Sequence, residues 1–245
     1  IVADGYWPAK QGRDALKVEW DTSAVTKPDT NALLAQYREL AAKPGNVAMQ
    51  ADMAPLAGAP HKISAEFVFP YLAHAPMEPL NCTVKLDGDK AELWMGTQMP
   101  GLDAMAAAKT LGLQPQNVKV NTQMAGGGFG RRAIPTSDYV VEACGVAKAA
   151  RIAGITAPVC TLWSREDDIK GGYYRPMHVH RAEIGFDAKG KILAWDHTIV
   201  GQSITKGSPF EAFMIKNGID ATAIEGMKEP YDVPMKLPVH HPDVN

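Results

Sequence analysis

Polar and apolar positions alternate along Lys62-Ile63-Ser64-Ala65-Glu66-Phe67-Val68-Phe69, the two-residue period of a half-buried strand. Residues 82–86 and 91–95 flank Asp87-Gly88-Asp89, a turn sequence, and are expected to pair as a hairpin. A longer hairpin is expected from residues 179–186 and 191–200 about Asp187-Ala188-Lys189-Gly190, with short strands at 118–120 and 161–163. Helical spacing covers residues 8–16, a stretch from Asp29 or Thr30 to about 42, residues 100–111 opened by Pro100, and residues 134–152. Residues 17–20 alternate again, and Ile1-Val2-Ala3-Asp4-Gly5 has the pattern of a buried strand entering a turn. These segments predict a small strand-helix-strand unit at the start. Residues 45–60, rich in Ala, Pro and Gly, are expected to be a linker or an irregular covering segment.

Strands and helices mix without the regular alternation of a doubly wound sheet, so the predicted class is α+β, mixed sheets with packed helices. The expected organisation is three consecutive blocks, residues 1–22, a connecting helix and linker at 23–60, and a main domain over 61–245. No internal repeat or low-complexity tract is present.

Composition narrows the function only modestly. A chain of 245 residues, 46% hydrophobic and 21% charged, buries a sizeable core. Its net charge of -2, from 25 basic and 27 acidic residues, provides no global field for nucleic acid or an anionic membrane. Any anion site must be local. Cys82, Cys144 and Cys160 lie too far apart for a CxxC pair or an iron-sulfur motif, and reduced buried thiols are the expectation. The most apolar stretch, residues 140–159, is broken by Glu142, Lys148 and Arg151, which argues against a membrane span. Both ends have the character of internal cuts in a longer polypeptide.

The candidate chemistry lies in Gly126-Gly127-Gly128-Phe129-Gly130-Arg131-Arg132, expected to follow a strand and open a helix. Glycines permit positive φ and leave backbone N–H groups unobstructed, a helix start adds free donors, and Arg131 and Arg132 offer bidentate contacts to phosphate. The loop lacks the Lys-Ser/Thr ending of a Walker sequence, and Arg131 stands where a Rossmann fingerprint needs its third glycine. Spacing alone leaves two readings open, an anion or cofactor loop and a plain surface turn.

Other clusters have simpler explanations. His178 and His180 share a strand face, a spacing that can hold a metal, and His240-His241 adds two more, but no Cys, Asp or Glu completes a set nearby in sequence. Arg165-Glu166-Asp167-Asp168 suits a capped, salt-bridged turn better than a catalytic acid pair. Met49, Met53, Met77, Met95, Met99 and Met105 suit core or interface filling.

The glycine loop, the segment His74-Ala75-Pro76-Met77-Glu78-Pro79-Leu80-Asn81-Cys82-Thr83, the stretch Trp94-Met95-Gly96-Thr97-Gln98, and Trp163-Ser164-Arg165-Glu166-Asp167-Asp168 occur in one order. In that order they resemble the xanthine dehydrogenase and aldehyde oxidase family. The two arginines ending the loop are most similar to the large, molybdopterin-binding subunit of the isoquinoline 1-oxidoreductase type. The resemblance implies that residues 1–22 close an α/β hammerhead domain and that 61–245 belong to the first molybdenum-cofactor-binding domain. It places Gln98, Gly127, Gly128, Phe129, Gly130 and Arg131 at the cofactor, with a helix N-cap as the competing role for Gln98. Many relatives carry a Gln shortly before the position of Glu78, whereas this chain has Pro70-Tyr71-Leu72-Ala73-His74, a departure that suits the isoquinoline branch.

The family's base glutamate comes from a Gly-Glu motif with no match before Asn245, so no catalytic residue is expected in this chain and the piece alone is expected to be inactive. The implied activity of the complete subunit is oxidation of N-heterocycles or aldehydes with water as oxygen donor. Its implied cofactor is molybdenum with molybdopterin cytosine dinucleotide. Implied partners are a small subunit with two 2Fe-2S clusters and an electron-accepting cytochrome or other carrier, with a small-molecule substrate and no nucleic acid. The compartment is left open between bacterial cytoplasm and periplasm. The competing function is a noncatalytic α+β binding or assembly module.

Overall fold

A computed structural model of the chain describes residues 1–227 and 232–244. Its first elements are α1 (Tyr6–Asp14), α2 (Thr30–Leu40), β1 (Asn46–Met49), α3 (Ala54–Ala57), β2 (His61–Phe69), β3 (Asn81–Asp87), β4 (Lys90–Met95) and α4 (Pro100–Leu111). There follow β5 (Val118–Thr122), α5 (Asp138–Ile152), β6 (Val159–Leu162), α6 (Arg165–Lys170), β7 (His178–Phe186) and β8 (Ile192–Gly201). The last are α7 (Glu211–Met214), β9 (Ile215–Lys216), β10 (Ile219–Asp220) and β11 (Met235–His240). The class is α+β, as the mixed pattern predicts.

The elements form two compact units, Ile1–Asp21 with Ala73–Arg175, and Thr22–Leu72 with Pro176–Asn245. Each joins two separated stretches instead of one consecutive block. The cause is long-range pairing: β2 lies antiparallel to β7, with His61 opposite Phe186 and Phe69 opposite His178.

The first unit carries a four-stranded sheet in the order β5-β4-β3-β6. Cys82 and Val84 on β3 and Ala91, Leu93 and Met95 on β4 turn to one face, every second residue, and are buried there. Helices α4 and α5 cover that face. Val140, Ala143, Ala147 and Ala150 recur at three- and four-residue steps along α5, and with Ala107 and Ala108 of α4 they complete the core. Small residues let these helices lie close to the sheet. Of the three thiols, Cys82 and Cys144 are buried in this core and Cys160 is exposed. Burial pushes the Cys82 thiol well up, and Cys144 up to about 12.

The second unit carries a five-stranded sheet, β1-β11-β8-β7-β2, in which only β11 and β8 run parallel. Tyr37 of α2 packs against Met177, Val179 and Val200. Asp29 caps that helix by accepting the Ala32 N–H at 2.8 Å, as its sequence suggests. Ile199, Ile219, Leu237 and Val239 form a further cluster. Among the described residues no helix is long and apolar enough to cross a membrane.

Several local expectations do not hold. Residues 1–5 and 17–20 form no strand, and Trp20 is 80% exposed: among the described residues no strand pairs with these segments to satisfy their backbone groups. Residues 45–60 are not wholly irregular: they contain β1, paired with β11, and α3, whose Leu56 is buried. The helix expected over 134–152 begins only at Asp138. Ile134, the residue before Pro135, is extended at φ −70° and ψ 125°, as a residue preceding proline favours, and Ser137 sits at φ 50°.

Candidate functional site

Strand pairing gathers the four motifs at one end of the four-stranded sheet. β4 and β5 are parallel neighbours, with Met95 beside Thr122, so Gly96-Thr97-Gln98 and the glycine loop leave the sheet at the same edge. β3 runs antiparallel to both β4 and β6, which brings the segment before Asn81 and the turn after Leu162 to that edge too. Carboxyl ends of parallel strands are open to ligands because the chain diverges there.

The glycine loop is held at both ends. At its entry the Glu78 N–H donates to the Gly126 carbonyl at 3.1 Å, while the Gly126 N–H donates to Glu78 Oε2 at 2.7 Å. At its exit the Gln98 N–H donates to the Arg132 carbonyl, and the Arg132 N–H donates to Gln98 Oε1, both at 3.2 Å. Gln98 therefore does not cap α4: the capping position is Met99, which makes no side-chain cap bond. Thr97 binds Asp103 and accepts the Met99 N–H at 3.0 Å instead.

Between the two clamps the backbone turns through positive φ at Gly127 (109°), Phe129 (56°) and Gly130 (99°). The N–H groups of Gly127, Gly128, Phe129 and Gly130 make no hydrogen bond within the described residues. Successive N–H groups in such a conformation form a concave donor set suited to an anion or an oxygen-rich ligand. A Cβ on Gly128 would lie 2.7 Å from Gln98 Oε1, so a side chain there would displace the Gln98 amide from its present position. Phe129 projects outward, 79% exposed.

Both arginines are used internally, which corrects the expectation that they reach a phosphate. Arg131 is 2% exposed, paired with Asp138 through Nη1 and Nη2 at 2.8 and 2.6 Å, and stacked near Trp163 and Tyr173 at 5.5 and 5.9 Å. Arg132 donates to the carbonyls of Gly127 (3.0 Å), Gly96 (3.1 Å) and Glu78 (3.3 Å), and to Glu78 Oε2 at 3.1 Å. The expected helix start after the loop is also replaced, by a 3-10 turn over Arg131–Ala133.

The remaining motifs buttress the loop. Arg165 donates to the carbonyls of Pro76 and Met77 at 2.5 and 2.9 Å and to Asp168 at 2.8 Å. Ser164 and Asp167 form a reciprocal capping box on α6, the capped turn expected from sequence. Burial, then the Arg131 charge, hold the His74 imidazole below its ordinary pKa, and its Nδ1 is buried without a partner. Burial alone would raise the Glu78 carboxyl. The Gly126 N–H, the Asn81 amide and the Arg132 charge outweigh it and hold the group below the usual range.

Sequence inspection finds the loop and Gln98 but misses Glu78, Arg132 and Asp138 as its supports. Their carboxylate–guanidinium complementarity is visible as composition, yet nothing local assigns the partners. In the other unit, His178 and His180 do share a face of β7, their rings 5.7 Å apart, but His180 Nδ1 shares a hydrogen bond with His197 Nε2 at 3.1 Å. Among the described residues no three His, Cys, Asp or Glu side chains converge as a metal cage.

The fold and this loop define a cofactor-binding domain, and comparison with known proteins assigns it. The sequence profile of the molybdopterin cofactor-binding domain matches residues 38–235, and the chain belongs to that family. It is 37% identical over 131 residues to isoquinoline 1-oxidoreductase subunit beta of Brevundimonas diminuta, covering 53% of this chain and 16% of that one. It is 30% identical over 236 residues to a membrane-bound aldehyde dehydrogenase (pyrroloquinoline-quinone) of Gluconacetobacter polyoxogenes, covering 95% and 29%. The molybdenum-binding subunit of an Escherichia coli K12 aldehyde oxidoreductase is 32% identical over 148 residues, covering 60% and 19%. The chain thus spans less than a third of the length of these relatives. Quinoline 2-oxidoreductase of Pseudomonas putida 86 shares the fold at a TM-score of 0.59 and 18% identity, over 80% of this chain and 25% of that one.

Proposed function

We propose that this chain forms one wall of the molybdopterin site in a molybdenum hydroxylase large subunit. The observation that carries the proposal is the run of four unpartnered N–H groups, Gly127 to Gly130, between the clamps of Glu78 and Gln98. Such donors match the phosphate and carbonyl oxygens of a pterin nucleotide, and the absent Cβ atoms allow close approach. Gln98, Gly127, Gly128, Phe129, Gly130 and Arg131 are the proposed cofactor-site residues, with Arg131 acting through the loop it anchors. The exposed Phe129 supplies an apolar contact that excludes water from one side of the site.

When bound, the cofactor supplies a two-electron acceptor for oxidation of a substrate carbon. The proposed substrates are N-heterocycles or aldehydes, the classes that the names of similar proteins carry. Cytosine dinucleotide is the proposed form of the pterin. A small subunit with 2Fe-2S clusters, and a cytochrome or other carrier beyond it, are the proposed electron path, consistent with relatives named as subunits. Residues 1–22 are proposed as the end of a hammerhead domain. The base glutamate is proposed to lie in sequence after Asn245, and the chain alone is proposed to be inactive.

The test is metal analysis and nucleotide release on the full-length subunit purified with its neighbours. About one molybdenum per polypeptide with released cytidine nucleotide is expected. Pyrroloquinoline quinone without molybdenum would overturn the proposal in favour of the cofactor that one relative's name carries. Absence of any cofactor would favour a noncatalytic module.

A further inference from the structure

Glu78 is half-buried and is hydrogen-bonded at both carboxylate oxygens and at its backbone N–H, which sets it apart from the loop residues. Its two carboxylate oxygens accept from three donors: Oε2 from the Gly126 N–H at 2.7 Å and Arg132 Nη2 at 3.1 Å, Oε1 from Asn81 Nδ2 at 2.8 Å. Its own N–H binds the Gly126 carbonyl at 3.1 Å. A Cβ on Gly126 would lie 2.5 Å from Glu78 Cβ, so the two backbones meet closely. Three of the carboxylate's roughly four acceptor sites are taken up within the loop and its supports.

We propose that Glu78 is the positioning residue of the glycine loop, fixing both backbone groups of Gly126 and orienting Arg132 so that the four N–H groups beyond stay free. The inference rests on the proposed cofactor role of the loop. Three donors converge on one group, and only an ionised carboxylate, an acceptor at both oxygens, satisfies them all. A glutamine of the same size directs an N–H at another donor. Arg132 transmits the effect: its side chain is sealed from solvent, and from Glu78 it reaches the carbonyls of Gly127 at 3.0 Å and Gly96 at 3.1 Å. Losing the carboxylate leaves a buried guanidinium short of its only anionic contact in this group of bonds, which frees the loop entry.

The full-length subunit carrying Glu78→Gln tests this by hydrogen–deuterium exchange on cofactor-free protein, so the outcome does not depend on turnover. Exchange at the hydrogen-bonded amides of Gly126, Arg131 and Arg132, resolved within residues 124–133, is expected to rise about tenfold, while peptides from α5 keep the wild-type rate. Molybdenum loss on dialysis of the loaded protein is expected to accelerate by a similar factor. Unchanged exchange in the loop, or equal acceleration in α5, would overturn the proposal. If Glu78→Gln does not fold, Asn81→Ala removes one donor and leaves the others: loop exchange rising about threefold supports the proposal, and wild-type exchange sinks it. A wild-type subunit without molybdenum would refute the cofactor role, while the exchange data still decide the role of Glu78 in the loop.

Discussion

Arg131 and Asp138 meet through two parallel hydrogen bonds, 2.8 and 2.6 Å, with the guanidinium 2% exposed between Trp163 and Tyr173. A residue that sequence assigns to a ligand thus ties the loop to the first turn of α5. Gly172 lies so close that a Cβ there would be 2.2 Å from Arg131 Nη2. Asp138→Asn is expected to destabilise the unit by about 3 kcal/mol, because a buried guanidinium loses its counter-charge. Urea unfolding checks this, and a loss under about 0.5 kcal/mol would contradict a buried pair.

Arg131→Ala in the full-length subunit is expected to lower bound molybdenum, although Arg131 donates to Asp138 and not outward. The effect would act through loop geometry. Metal analysis checks it, and unchanged content would separate the arginine from the site.

Gly127 sits at φ 109°, with a hypothetical Cβ 3.0 Å from Pro76 Cβ. Gly127→Ala is expected to cost about 1–3 kcal/mol in backbone strain and to weaken cofactor retention together with stability. Gly145→Ala lies in α5 with open space around its Cβ, so it serves as control and is expected to stabilise by up to about 1 kcal/mol. Unfolding midpoints of the two variants should therefore move in opposite directions.

Burial, then the neighbouring His197, lower the His180 pKa from 6.5 to about 4. A histidine kept neutral when folded takes up its proton first in the unfolded chain. Stability is therefore full above about pH 6.5 and falls as pH drops toward 4. The expected slope is at most about 1.4 kcal/mol per pH unit from this group. Replacing it, His180→Gln, should flatten the urea midpoint between pH 7 and pH 5, roughly the window these values define. An unchanged slope would assign the pH dependence elsewhere.

Ser164 accepts the Asp167 N–H at 3.2 Å, and Asp167 Oδ2 accepts the Ser164 N–H at 3.1 Å. Ser164→Ala should cost about 1 kcal/mol by removing half of this box. Because Arg165 on the same turn binds the Pro76 and Met77 carbonyls, the variant should also loosen the segment leading to Glu78. Exchange of peptides covering residues 74–80 measures that second effect.

Local spacing alone specifies much of the secondary structure. The helix at 100–111 is legible because Pro100 opens it and Gly112, at φ 75°, closes it. The hairpin at Asp87-Gly88-Asp89 is legible because its turn residues tolerate the φ of 58° at Gly88. Residues 17–20 have a strand's alternation but no pairing strand among the described residues, and β1 is hidden in an Ala- and Pro-rich stretch that becomes a strand because β11 lies beside it. Sequence periodicity reports which face is apolar and carries no information about the partner.

By itself the sequence determined that residues 126–130 must be glycine-rich, unobstructed backbone, since that property belongs to the residue types themselves. It also determined the order of four motifs, enough to indicate the family. Only the tertiary structure decided what Arg131, Arg132 and Glu78 do. Each is a long charged side chain able to face solvent, ligand or a distant partner, and the parallel pairing of β4 with β5 and antiparallel pairing of β3 with β4 placed the partners within reach. Contacts between residues such as Glu78 and Gly126 arise from strand order, a non-local property, and no window of sequence contains it.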